Sequence, residues 1–202
     1  MGNSVDSRRI IGLTGGIATG KSTVASYLAE AHGLPVLDAD LYAREAVSPG
    51  SSILRSLKER YGPAICLEDG QLNRRRLGEI IFNQPEQKRW VEQQIHPFVR
   101  QRFAQVTDQY PPHQTLVYAI PLLFEAGLTH LVTEVWVVVC STAQQQQRLM
   151  ARNQLSLPEA EARIQSQLPL GQKVALADAV LDNGKTREWL YQQTDRLLQL
   201  HD

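Results

Sequence analysis

Gly15-Gly16-Ile17-Ala18-Thr19-Gly20-Lys21-Ser22 follows the apolar run Ile10 to Leu13 and precedes Thr23-Val24-Ala25-Ser26-Tyr27-Leu28. The octet satisfies G-x-x-x-x-G-K-[ST], and it stands between a strand-like and a helix-like segment, the setting that gives this motif its meaning. Glycines let the backbone close around phosphates, successive N–H groups turn inward, and the following helix adds its positive end. In that arrangement Lys21 reaches the β and γ phosphates of ATP, the Ser22 hydroxyl suits a magnesium ion, and Thr23 reaches the α phosphate. Gly33 ends the helix as a left-handed cap.

Outward from this stretch, five short apolar segments recur: Ile10 to Leu13, Val36 to Leu37, Thr115 to Ile120, Val135 to Cys140 and Ala179 to Leu181. Their hydrophobicity is continuous rather than alternating, as in strands buried on both faces, and helical stretches separate them. The class is α/β, a parallel five-stranded sheet flanked by helices. More than seventy residues lie between the second and third segments, too many for one crossover helix. Apolar positions at helical spacing (Ile53, Leu54, Leu57, Tyr61; Leu77, Ile80, Ile81; Trp90, Val91, Ile95, Phe98, Val99) predict a helical insertion at about 49–112. Pro97 is expected to kink the last of these helices or end it near His96.

A second helical excursion follows the fourth strand. Ser141 or Thr142 caps a helix running through Asn153, and Ser156 with Glu159 forms a capping box before Ala160 to Gln167. Leu168-Pro169-Leu170-Gly171 then breaks the helix and offers a hinge for a lid at about 148–172. Gln144 to Gln147 reads as a solvated helix face. A last helix from about Thr186 to Leu200 covers the sheet with Trp189, Leu190, Leu197 and Leu198. The expected organisation is a polar tail, 1–8, and one domain, 9–202.

Charge narrows the function classes. Lys plus Arg (21) equals Asp plus Glu (21), so no long-range field draws nucleic acid or an anionic membrane. Cys66 and Cys140 lack metal-ligand spacing, as expected of a reducing, cytoplasmic setting. MGNSVDSRR has no apolar signal region, and Asp6 stands where a myristoylation pattern wants Ser or Thr. No apolar run reaches membrane-spanning length. Oligomeric state is not readable.

Within the motif's class, a regulatory GTPase needs a guanine-reading N-K-x-D after a late strand, where this chain has Val138-Val139-Cys140-Ser141-Thr142. An ATP-driven motor would end an apolar strand on an acidic magnesium ligand, whereas the third strand ends Tyr118-Ala119-Ile120-Pro121. Acidic groups instead follow the second strand, in Asp38-Ala39-Asp40. If that segment is extended, both carboxylates point the same way, one to orient an acceptor hydroxyl and the other to hold magnesium-bound water. The bland alternative makes them caps of the next helix.

Arg148 and Arg152 share a helix face and suit a triphosphate clamp, or else a solvated pair. His96 reads more simply as a hydrogen-bonding core residue than as a catalyst. Of Arg74-Arg75-Arg76, Arg74 is the candidate to grip an anionic substrate. The rival readings are a kinase for another small nucleoside or cofactor, and a nucleotide-gated module signalling through the inserted helices.

The chain resembles the dephospho-coenzyme A kinase family over nearly its whole length. The resemblance rests on Leu13-Thr14-Gly15-Gly16-Ile17, Asp38-Ala39-Asp40 with Arg44, Leu72-Asn73-Arg74, His96-Pro97, Pro121-Leu122-Leu123-Phe124-Glu125, Arg148 with Arg152, and Ala177-Asp178 before Asp182-Asn183. It implies transfer of the ATP γ-phosphate to the ribose 3′-hydroxyl of dephospho-coenzyme A, the last step of coenzyme A synthesis, with Mg2+. By resemblance, Asp40 activates or orients the hydroxyl, Asp38, Arg44, Arg74 and His96 belong to the acceptor pocket, and Pro121 to Glu125, with Leu122, wall it. Two departures stand out. Many members have Gly and Ser where Ala18 and Thr19 stand, and many carry an extra arginine where this chain has Lys173-Val174-Ala175-Leu176, leaving Lys173 the basic candidate there.

Overall fold

The computed structural model describes residues 8–81 and 84–200. The polar tail expected at 1–8, with its Met1-Gly2 and Asp6, lies outside them except for Arg8. The chain divides into two compact units, one formed by the stretch up to Asp38 and from Tyr110 onward, the other by Ala39–Gln109.

In the first unit, strands β1 (Ile10–Gly15), β2 (Val36–Asp38), β3 (Leu116–Ala119), β4 (Glu134–Val139) and β5 (Ala179–Asp182) form one parallel sheet in the order β2-β3-β1-β4-β5. All five segments predicted from the sequence are strands. β1 connects toward one edge of the sheet, to β2, and β3 connects past β1 toward the other, to β4. Where connections diverge in this way, a crevice opens at the carboxyl ends of the strands. Helices α1 (Lys21–His32) and α9 (Arg187–Gln199) cover one face, burying Val24, Leu28, Leu190 and Leu198 with Ile11, Leu13, Trp136 and Leu181 of the sheet. Each such side chain contributes roughly 1.5–3 kcal/mol on burial. Tyr27 and His32 of α1 both bond Asp195 of α9 at 2.8 Å, and Tyr27 stacks on Tyr191.

Beyond β4 lie α6 (Thr142–Asn153), α7 (Leu157–Gln165) and α8 (Leu170–Ala175). Both predicted starts are seen: Ser141 with Gln144, and Ser156 with Glu159, form capping boxes. The break is shorter than the sequence suggested. It ends at Pro169, and Leu170 and Gly171 already belong to α8, because Pro169 at the N-cap starts a helix as readily as it stops one.

The second unit contains α2 (Ala39–Ala46), α3 (Ser52–Tyr61), α4 (Arg74–Ile81) and α5 (Pro85–Thr107) around Val47, Leu54, Leu57, Ile65, Leu72, Leu77 and Val91. Ser51 caps α3 by accepting from the Leu54 N–H. Of the two outcomes expected at Pro97, a kink or an ending near His96, the ending is not seen: α5 continues through Pro97 to Thr107. An internal proline costs about 3 kcal/mol. The helix buries Val91, Val99 and Phe103, at roughly 1.5–3 kcal/mol each, so packing outweighs that cost.

Candidate active site

The loop after β1 has the form its glycines predict. A Cβ at Gly15 would lie 2.6 Å from the Val138 carbonyl oxygen, a backbone atom that cannot yield, so the tight departure from the sheet requires glycine. Gly20, at φ 103°, is the N-cap of α1 and places Lys21, Ser22 and Thr23 in its first turn. Between them Ala18 adopts φ 61°, a left-handed conformation that costs a residue with a Cβ about 1–2 kcal/mol. Thr19 is fully buried and its hydroxyl donates to the Gly16 carbonyl at 2.8 Å. The small departures noted at positions 18 and 19 therefore leave the loop's shape intact.

Side chains from later elements fasten this loop. Gln145, 3% exposed, donates to the Ile17 carbonyl at 2.8 Å, and Gln167 accepts from the Ile17 N–H at 2.7 Å. Asn183 donates to the Thr19 carbonyl at 2.7 Å. Arg148 spans the Ala18, Thr19 and Asn183 carbonyls at 3.5, 3.4 and 3.0 Å. Gln145 corrects the reading of 144–147 as a solvated face: this member points inward because the fixed carbonyl of Ile17 needs a donor there. Gln144 is likewise engaged, with Ser141 and Gly184, and Gln146 with Glu161. Nothing in a glutamine run marks which member is buried, and Gln167 carries no motif at all. Asn183, by contrast, stands in the Asp182-Asn183 pair singled out in the sequence.

The two clamp arginines part company. Arg148 is half-buried against the loop, whereas Arg152 is exposed, its Nε bonded to Asn153 Oδ1 at 3.0 Å. Lys173 is fully buried, with Nζ 2.8 Å from Glu125, 3.2 Å from the Gly15 carbonyl and 3.4 Å from that of Pro121. It is therefore not an open lid contact. Glu125 also accepts from the Leu168 N–H at 3.0 Å, and the Pro121 carbonyl accepts from the Thr14 hydroxyl at 3.1 Å. Leu122 is exposed.

Asp38 ends β2 and α2 begins at Ala39, so Asp40 lies in the first turn of a helix. The segment is not extended, and the argument that both carboxylates point the same way does not hold. Asp38 is half-buried and Asp40 exposed. Within the second unit, Arg44 and Arg74 border a cavity of about 350 Å3 together with Ser48, Gln71 and Leu72. Partial desolvation, then the like charge of Arg44, pulls the Arg74 pKa below the ordinary guanidinium value, with Asp40 opposing. Arg75 and Arg76 pair with Glu79, which leaves Arg74 the member of the run that faces Arg44. His96 is exposed on α5, not the core residue its apolar neighbours suggested, although it stands one and two turns before the buried Val99 and Phe103.

The family model for dephospho-CoA kinase matches residues 9–188. The chain belongs to the dephospho-CoA kinase family. Relatives named dephospho-CoA kinase include one from Nostoc sp., 57% identical over 190 residues that cover 94% of this chain and 96% of the relative. Another, from Synechocystis sp., is 59% identical over 176 residues, or 87% and 88%. A Thermus thermophilus crystal structure is similar at TM-score 0.84 and 33% identity, covering 98% of this chain and 100% of its own. The dephospho-CoA kinase from Campylobacter jejuni is similar at TM-score 0.63 and 26% identity, covering 96% and 97%. An Acinetobacter baumannii shikimate kinase, at 17% identity and TM-score 0.54, shares the fold. Family membership makes the chain a kinase.

Proposed function

We propose that the chain transfers the γ-phosphoryl group of ATP to the ribose 3′-hydroxyl of dephospho-coenzyme A, giving coenzyme A and ADP. The observation that carries this reading is the loop from Gly15 to Thr23, leaving β1 and entering α1, in a chain of this family. The loop formed by Gly15, Gly16, Ile17, Ala18, Thr19 and Gly20 cradles the triphosphate through backbone N–H groups other than those of Ile17 and Thr19, which are held by Gln167 and the Gly16 carbonyl, and Lys21 neutralises charge that builds on the transferring group. Arg148 stiffens the loop from outside, and Arg152, being exposed, is available to the nucleotide.

The donor chemistry fits a magnesium ion. Mg2+ takes one or two protein oxygens plus phosphates and waters, and Ser22 presents an exposed hydroxyl at the start of α1. When bound, the ion spreads the phosphate charge. Asp38 or Asp40 would hold one of its waters.

Arg44 and Arg74 bind an anionic portion of the acceptor, since paired guanidinium groups at a polar cavity suit phosphate oxygens. Asp40 accepts the hydrogen bond of the attacking hydroxyl and orients it. Pro121, Leu122 and Glu125, with Asp38 and His96, complete the acceptor's surroundings by resemblance. A reducing, cytoplasmic setting is supported by two free cysteines, and among the described residues no helix is long and apolar enough to cross a membrane.

The Asp40→Asn variant tests the division of labour. An amide still positions the hydroxyl but cannot take its proton, so kcat should fall far more than the acceptor KM rises. Full kcat in Asp40→Asn, with loss in Asp38→Asn, would exchange the two roles.

A further inference from the structure

Lys173 is a fully buried charge that phosphoryl transfer itself does not use. Its stem lies in α8, and its ammonium has three oxygen acceptors: Glu125 Oε1 at 2.8 Å, the Gly15 carbonyl at 3.2 Å and the Pro121 carbonyl at 3.4 Å. An ammonium has three N–H donors, so its hydrogen-bonding capacity is matched. Those acceptors come from three places. Gly15 ends β1 and opens the phosphate loop, Pro121 follows the neighbouring strand β3, and Glu125 sits in the turn beyond it. Glu125 also takes the Leu168 N–H at 3.0 Å, so the segment between α7 and α8 is anchored at the same point.

A buried ion pair is weak support for stability, because desolvating two charges offsets most of their attraction. Two backbone carbonyls within reach of this one suggest another use. The Gly15 carbonyl and the Gly16 N–H are opposite ends of one planar trans peptide. An ammonium holding that oxygen fixes the direction in which the Gly16 N–H points, at the first peptide of the loop. Gly15 and Gly16 cannot supply this constraint themselves, since glycine has the widest backbone freedom of any residue. At the next peptide Gln167 holds the Ile17 N–H, and at the one after it Gln145 holds the Ile17 carbonyl.

We propose that Lys173 is a positioning residue for phosphoryl transfer: by gripping the Gly15 carbonyl, with Glu125 as its counter-charge, it presets the first peptide of the phosphate loop for ATP. This rests on the assignment of ATP to Gly15–Thr23. The role concerns ATP; because Glu125 also belongs to the acceptor's surroundings, the acceptor KM is read separately.

The test compares wild type, Lys173→Met and the double variant Lys173→Met with Glu125→Gln. Methionine keeps an unbranched stem without charge, and the second change removes the carboxylate left without its partner. Thermal unfolding, the Kd of ATP and steady-state kinetics are measured on each. Lys173→Met should unfold at lower temperature, and the double variant should recover much of that loss. Both should bind ATP about tenfold or more weakly, as for loss of a charged hydrogen bond, and kcat/KM for ATP should fall with it. A double variant that recovers ATP affinity along with stability overturns the proposal, and so does failure of both variants to fold, which makes Lys173 purely structural. Wild type that does not bind ATP overturns the ATP assignment instead.

Discussion

Ala18 shows how much one side chain decides in a loop this tight. Its φ of 61° lies where glycine rests without strain and alanine does not, and the sequence puts alanine there. Relief of about 1–2 kcal/mol of strain in Ala18→Gly exceeds the 0.4–1 kcal/mol by which glycine favours the unfolded chain. The variant should therefore unfold at the same or a slightly higher temperature, and Ala18→Val at a distinctly lower one, as read by thermal denaturation. A clear drop for Ala18→Gly would mean that the methyl group contributes packing the geometry does not suggest. The motif 15–22 was legible because the two glycines that define it have a steric reason: the Val138 carbonyl at Gly15, the left-handed backbone at Gly20. Gln145, Gln167 and the inward turn of Lys173 were not legible, because what buries them is a backbone carbonyl or N–H more than a hundred positions away, and polar residue types carry no sign of that partner.

Secondary-structure elements were readable to the extent that local chemistry sets them. The starts of α6 and α7 were readable as caps, with Ser141 one of two candidates and Ser156 with Glu159 a capping box, since the bonds that make them lie within four positions. The ending expected as one outcome at Pro97 is absent because its local cost is outweighed by what α5 buries, and the extended reading of Asp38-Ala39-Asp40 fails because the strand ends one residue before the helix begins. The α7 box also carries a pH dependence. Hydrogen bonds from the Ser156 side chain and then its N–H hold the Glu159 carboxyl below the usual glutamate range. A group depressed in the folded state stabilises above its unfolded pKa, and that contribution disappears as pH falls through the folded value. Wild type should thus lose stability relative to Glu159→Gln as acid titrates below the ordinary glutamate range, measured as the difference in unfolding temperature. A pH-independent difference would contradict the cap. Along α6, spacing alone makes Arg148 and Arg152 equivalent, but only Arg148 grips the loop. Arg148→Ala should weaken ATP binding about tenfold, as for a lost charged hydrogen bond, and Arg152→Ala less. Equal effects from both would favour a shared clamp on the nucleotide.

At the scale of the molecule, the strand order was not readable from the sequence, although the five strands were; order depends on which connections cross which neighbour, and that is a property of packing. The helical character of the insertion, expected at about 49–112, was legible from periodicity, but only the resemblance joined Arg44 and Arg74 in one pocket, since some thirty residues of chain separate them. What joins these parts is the claim that the acceptor is a large anionic nucleotide rather than a simple nucleoside. Contacts remote from the reacting hydroxyl raise turnover when they orient it, so a truncated acceptor should lose kcat as well as affinity. The most direct measurement is ADP release coupled to dephospho-coenzyme A, with adenosine as the truncated acceptor and Lys21→Ala as the control. Dephospho-coenzyme A should give a kcat/KM far above that of adenosine, and Lys21→Ala should cut it by on the order of a hundredfold or more while remaining folded. Equal kcat/KM for the two acceptors would contradict the assignment.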